Sequence, residues 1–212
     1  MVAHPAQGGR HGAGPTTGTV VDLGCGSRKF PGSIGMDIVA VPGVDVVADM
    51  SRGLPFKDDS LDGVYAYHVL EHLDDFLAIM GEIWRVLRDG GRAYIKVPHS
   101  ASTFMTWKDP THKRGLSIAT FAYFDDTYFD GIAFSYYSPA RFRIEKAKLN
   151  FTLTDRQEDP AQSRVRRLLN PIFDALANKN RSYQYACERF WGPIVGIEEA
   201  VLTLRAIKGR GS

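Results

Sequence analysis

One short stretch of this chain concentrates residues suited to holding a ligand. Asp22-Leu-Gly-Cys-Gly26 follows the β-branched run Thr19–Leu23 directly. Glycine adopts backbone angles, and permits close approaches, that side chains forbid. In an open α/β sheet the first strand-to-helix turn lies at the crevice where nucleotides bind. Gly24 and Gly26 alone fit a simple tight turn equally well. Two further acids change the reading. Asp37 ends a second run, Ile34-Gly-Met-Asp-Ile38, and Asp49 ends a third, Val46-Val-Ala-Asp-Met50. A carboxylate at the end of the second strand can accept hydrogen bonds from ribose hydroxyls. One at the end of the third can accept an adenine amino proton, with Met50 packed on the ring. Successive strand ends thus carry acceptors to one edge of a sheet.

Histidine supplies the candidate acid–base chemistry, because its pKa lies near neutrality. His68 follows a fourth run, Leu61–Tyr67. His72 begins the next helix and is expected to bond a neighbouring loop. His99 follows Pro98 at the end of a fifth run. His112 lies in Asp109-Pro-Thr-His-Lys-Arg114, flanked by Phe104, Trp107, Phe121, Tyr123 and Phe124. His68, His99 and His112 are the candidate catalytic residues. Two readings of the aromatic segment stay open. In one, the aromatics pack against the sheet while His112, Lys113 and Arg114 cap loops. In the other, the preferred one, the polar cluster enters an aromatic-lined pocket and grips an anionic or hydroxylated small molecule. A metal set of His99, Asp109 and His112 matches no standard ligand spacing, so no metal is expected.

The elements that must position these groups are readable from periodicity. Strands are expected at Thr19–Leu23, Ser33–Val39, Val44–Ala48, Leu61–Tyr67, Arg92–Val97, Phe142–Thr152 and Glu199–Ile207. Phe76, Leu77, Ile79, Met80, Ile83, Trp84 and Leu87 recur at helical spacing. Asp74 or Asp75 is available as the cap and Gly90–Gly91 as the stop. Strands alternating with helices imply a parallel sheet with covered faces. The last strand, after helical segments at Val165–Ala177 and Tyr183–Phe190, suits an antiparallel edge. Leu168–Trp191 reads as a lid, a homodimer surface or packing against the sheet. Only eleven positions separate Gly26 from Asp37, and Pro31–Gly32 interrupts them, so the usual first helix has little room. Arg28 or Lys29, in that stretch, can pair with a ligand carboxylate or simply face solvent.

Composition narrows the field. Lys and Arg total 26 against 24 Asp and Glu, which gives no electrostatic case for a nucleic-acid partner. Two cysteines, Cys25 and Cys187, make no disulfide framework. No apolar run approaches the ~20 residues of a membrane span. No secretory signal is visible, so a cytoplasmic protein is expected. Residues 1–18 are rich in Gly and Pro and read as a flexible tail, leaving residues 19–212 as one domain with insertions at 100–130 and 155–195.

Val20–Gly26, Asp37, Asp49, Leu54–Val64, Val69–Leu73 and Trp84–Gly91 together resemble small-molecule class I methyltransferases of the "methyltransferase 11" type. The likeness covers Thr19 to about His99 well and the remainder loosely. It implies an α/β, Rossmann-like, doubly wound and mostly parallel seven-stranded sheet with a helical and aromatic insertion or lid. It also implies S-adenosyl-L-methionine as cofactor. Asp22, Gly24, Cys25 and Gly26 would border its methionine part. Asp37 and Ile38 would meet the ribose, Asp49 and Met50 the adenine, and His68 the methyl donor. The expected activity is methylation of a small molecule such as a natural-product intermediate or sugar. Two alternatives remain. One is a cyclase that converts the cofactor to azetidine-2-carboxylate and methylthioadenosine. The other is a non-catalytic cofactor-binding partner.

Overall fold

In the computed structural model, residues 18–128, 136–151 and 164–209 are described, without the side chains of residues 164–167. Nearly all of the expected tail, Thr152 and residues 155–163 of the second insertion lie outside the described residues.

β1 (Val20–Leu23) is buried along its whole length. It pairs in parallel with β2 (Ile34–Asp37) on one side and β4 (Leu61–Tyr67) on the other. β3 (Val46–Val47) extends the sheet beyond β2, again in parallel. Helix α1 (Phe76–Val86) then crosses to β5 (Leu87–Pro98), which pairs in parallel with β4. Two short helices follow, α2 (Thr103–Trp107) and α3 (Ile118–Ala122), before strand β6 (Phe142–Asn150). The chain closes through α4 (Arg164–Ala177), α5 (Arg181–Ala186), a π-helical turn at Cys187–Trp191, α6 (Gly192–Val195) and β7 (Glu199–Ala206). The seven-stranded sheet has the order β3-β2-β1-β4-β5-β7-β6. β7 runs antiparallel, but between β5 and β6 rather than at the edge expected for it. It therefore delivers Glu199, its first residue, to the carboxyl ends of β4 and β5.

Local chemistry explains the elements. Asp75 caps α1, its side chain accepting the Ala78 N–H at 2.8 Å. The helix buries Phe76, Ile79, Met80, Ile83 and Val86 against the sheet. Each such side chain contributes about 1.5–3 kcal/mol. The helix stops before Gly90–Gly91, because Leu87 already turns extended and pairs with Leu61. The fourth strand, by contrast, occupies the expected Leu61–Tyr67.

Among the described residues no helix forms between β1 and β2. Phe30 closes that gap by stacking on Tyr65 at 3.9 Å between ring centroids. The Phe30 N–H donates to Asp22 Oδ2 at 3.0 Å, which ties the loop to the strand it left. At the other side of the sheet, α4 covers edge strand β6. Asn178 donates to and accepts from the backbone of Leu149, while Asn170 and Asp174 bond the backbone of Phe151. An edge so bonded is closed to further strand pairing. Phe151 stacks on Trp191, while Leu168, Ile172 and Leu176 of α4 stay exposed. Among the described residues no helix is long and apolar enough to cross a membrane.

Candidate active site

The carboxyl ends of β1, β2 and β4 meet at one edge of the sheet. Gly24 and Gly26 take positive φ, 63° and 53°. A Cβ on Gly24 would lie 2.7 Å from Val69 Cγ2, whereas one on Gly26 would meet no atom within 4 Å. Gly24 is thus enclosed by protein and Gly26 borders open space. The Gly26 N–H donates to Asp37 Oδ2 at 2.9 Å, and the Val39 N–H to Oδ1 at 3.1 Å. A carboxylate has about four lone-pair sites, so Asp37 keeps acceptor capacity for hydroxyl donors. Ile38 is 55% exposed beside it.

The other strand-end residues are held differently. Asp49 caps the turn Met50–Arg52, and its bonds from the Ser51 hydroxyl and N–H hold its carboxyl below the ordinary range. Met50 is buried in the main core. Asp22 is fully buried. The Cys25 thiol turns inward, to the carbonyls of Gly26 and Gly43, so only its backbone faces the edge. Lys29 pairs with Asp45, while Arg28 is exposed. The cradle is rich in acceptors, with its glycine loop locked to the Asp37 carboxylate. That donor–acceptor pattern fits an adenosyl group, whose hydroxyl and amino groups donate.

His68 stands just past β4 with φ of 53°, a strained angle for a non-glycine residue. Such strain concentrates at functional sites. Its Nε2 lies 3.3 Å from Glu199 Oε1, and its Nδ1 lies 3.5 Å from Glu71 Oε1. Lys96 Nζ lies 3.3 Å from the other oxygen of Glu199. Burial alone would lower the His68 pKa. Hydrogen bonding and charge from Glu199 and Glu71 outweigh it and raise the pKa to about 9.

His99 takes a different place. It is 1% exposed, its Nδ1 accepts the Ala101 N–H, and its Nε2 lies 2.9 Å from Glu188 Oε1. The same Glu188 oxygen accepts the Ile118 N–H at 2.7 Å. His99 thereby knits α3 to the C-terminal helices, and its ring is closed off from solvent.

The Asp109–Arg114 loop docks on the segment after β4. The Lys113 N–H donates to the Glu71 carbonyl at 2.7 Å, and Arg114 bonds the carbonyls of Leu73 and Asp74. His112 Nε2 faces Glu71 at 3.9 Å, and its ring meets that of His72 edge-on at 4.6 Å. The two readings of this segment divide by residue. Phe121 and Phe124 are buried beside Phe76, and Arg114 caps loop carbonyls, whereas His112 converges on the acid–histidine cluster. Phe104 and Trp107 are exposed. Four carboxylates escaped the sequence reading: Glu71, Glu198 and Glu199, all buried, and the partly buried Glu188. Glutamate in an apolar context is the only signal that points to them.

Comparison with known proteins agrees with this architecture. Residues 21–95 match the family described as methyltransferase domain. A Mycolicibacterium smegmatis protein named a probable S-adenosylmethionine-dependent methyltransferase is 37% identical over 82 residues. That match spans 37% of this chain and 32% of the relative, so the chain covers about a third of the relative's length. The YcgJ protein of Bacillus subtilis superposes with a TM-score of 0.52 at 18% identity, covering 90% of this chain and 92% of that one. The cyclase SpnF does so with a TM-score of 0.52 at 15% identity, covering 91% and 75%. At these identities the structural likeness is one of fold. Residues 21–95 thus resemble a methyltransferase domain, set in a seven-stranded sheet of Rossmann-like order. The cofactor of that family is S-adenosylmethionine.

Proposed function

We propose that this chain transfers a methyl group from S-adenosylmethionine to a small molecule. The observation that carries this reading is the bond from Gly26 to Asp37, which makes the glycine loop and the second strand end one acceptor-rich cradle. In this reading Asp37 holds the ribose diol, with Ile38 beside it. Asp49 and the turn at Met50 border the adenine. The backbone of Gly24, Cys25 and Gly26 borders the amino-acid end, and Asp22 braces the loop from beneath. The chemistry the cofactor supplies when bound is an electrophilic sulfonium methyl carbon.

The chain's own contribution is alignment and exclusion of water. His68, at the same sheet edge, orients the acceptor, with Glu199 and Glu71 fixing its ring. His112 contributes a second polar contact, and His99 supports the wall from behind. A small acceptor is favoured by the near balance of 26 basic and 24 acidic residues and by exposed Phe104 and Trp107 near the polar cluster.

The test is turnover of the purified chain with S-adenosylmethionine, alone and with fractionated metabolite extract. S-adenosylhomocysteine that forms only with extract is the expected product. Methylthioadenosine formed from cofactor alone would replace methyl transfer with intramolecular cyclisation. Tight cofactor binding with neither product would leave a non-catalytic binder.

A further inference from the structure

Glu71 is 1% exposed, and its carboxylate makes no hydrogen bond of ordinary length and geometry. Its contacts from Oε1 are longer ones, 3.5 Å to His68 Nδ1 and 3.9 Å to His112 Nε2. A buried carboxylate left in this state is costly, and native structures seldom keep one without a role.

The two histidines beside it are fixed in tautomer. His112 Nδ1 lies 2.7 Å from the Thr106 carbonyl oxygen. A carbonyl only accepts, so Nδ1 carries a proton, and the neutral ring has its lone pair on Nε2, the atom that faces Glu71. The Thr111 hydroxyl donates to Asp109 Oδ1 at 2.6 Å, so it accepts from His72 Nδ1 at 2.9 Å. In the neutral ring of His72 the lone pair is then on Nε2 as well. A ring nitrogen donating to a carbonyl or hydroxyl while the other keeps its lone pair is how metal-binding histidines are oriented.

One ligand atom from each of Glu71, His72 and His112 lies within 4.8 Å of the others. Ligands about 2.1 Å from a tetrahedral ion stand ~3.4 Å apart, so closure brings the ligand atoms together by up to about 1.4 Å. The two segments that carry them are already joined by the Lys113-to-Glu71 backbone bond. Thr111, next to His72, is exposed, which gives an ion a path in.

We propose that Glu71, His72 and His112 bind one divalent transition-metal ion. Two imidazoles and a carboxylate suit Zn2+ or Co2+, whereas Mg2+ and Ca2+ prefer all-oxygen sets. Three protein ligands leave a coordination position open to water or to an exogenous oxygen or nitrogen. The set differs from the one contemplated from spacing: His99 is engaged by Glu188, and Asp109 acts through Thr111.

The test uses the full chain, free of any affinity tag and stripped with chelator. Zn2+ is titrated against a chromophoric competitor, and bound metal per chain is counted by mass spectrometry. One equivalent of Zn2+ is expected, with no competition from equal Mg2+. Co2+ should give the intense visible absorption of a low-coordinate site. His112→Gln should weaken Zn2+ at least about 100-fold, and Thr111→Val about 10-fold through lost ring orientation. The double variant His4→Ala, His11→Ala should bind as the parent does. Circular dichroism checks each fold, and His72→Gln bears the test if His112→Gln unfolds. Substoichiometric Zn2+, binding indifferent to His112→Gln or His72→Gln, or binding lost with His4 and His11 would overturn the proposal.

Discussion

Nε2 of His68 lies 3.3 Å from Oε1 of Glu199, joining the end of β4 to the start of β7 across the intervening β5. That contact exists only because β7 is inserted between β5 and β6. It gives His68 a fixed ring at the sheet edge. In the proposed reaction, His68→Gln is expected to lower turnover by about 100-fold, at the low end for a positioned polar catalytic group. Affinity for S-adenosylhomocysteine should change less than about threefold, by calorimetry; a larger loss of affinity than of turnover would make His68 a binding residue.

Glu199 carries a pH-dependent share of stability. Burial would raise its pKa, but the His68 hydrogen bond and the charges of Lys96 and His68 bring it below the ordinary glutamate value. A depressed carboxyl stabilises the fold above its unfolded pKa, about 4.3, and the benefit fades as pH falls through the lower folded value. Glu199→Gln should therefore cost on the order of 3 kcal/mol at pH ~7, as for a broken buried pair. The gap in Tm between parent and variant should shrink as pH falls below ~4.

Asp37 should matter for cofactor affinity. Asp37→Ala removes the acceptor for the Gly26 N–H as well as the expected ribose bonds. A loss of about 1–3 kcal/mol in S-adenosylhomocysteine binding is expected by calorimetry. Unaltered affinity would remove the ribose assignment.

The two loop glycines should separate stability from binding. Gly24→Ala forces a Cβ into Val69 as well as into positive φ, and should lower stability by about 2–3 kcal/mol. Gly26→Ala meets no protein atom, so only the backbone term of roughly 1 kcal/mol applies. Its larger effect should be on cofactor affinity. Chemical denaturation and calorimetry on both variants check the pattern.

Cys187 is buried, and burial together with Glu188 pushes its thiol up to about 12. Cys25 is buried as well. Neither thiol should react with a disulfide reagent at pH ~8 in the native protein, since the thiolate is the reactive form. Both should react in denaturant. One fast native thiol would contradict the packing of that residue.

Much of the architecture could be read from local patterns. β4 follows from an apolar run with clear boundaries, and α1 from helical spacing with Asp75 in place to cap it. The missing helix after β1 was legible in Pro31–Gly32 and the short interval to Asp37. The start of β5 was not. Gly90–Gly91 reads as a helix stop, yet pairing of Leu87 with Leu61 ends the helix earlier. A tertiary contact there overrides a local turn signal.

The linear chain determined which side chains sit at strand ends: Gly24, Asp37, Asp49 and His68 follow from alternation and punctuation, which are short-range properties. Only the folded molecule decided which acid meets which histidine. His99 goes to Glu188, His68 to Glu199 and His112 towards Glu71. These partners are brought together by the packing of an insertion and by an antiparallel strand placed inside the sheet. The buried state of each glutamate depends on a distant cation or ring, so no local period of sequence encodes it.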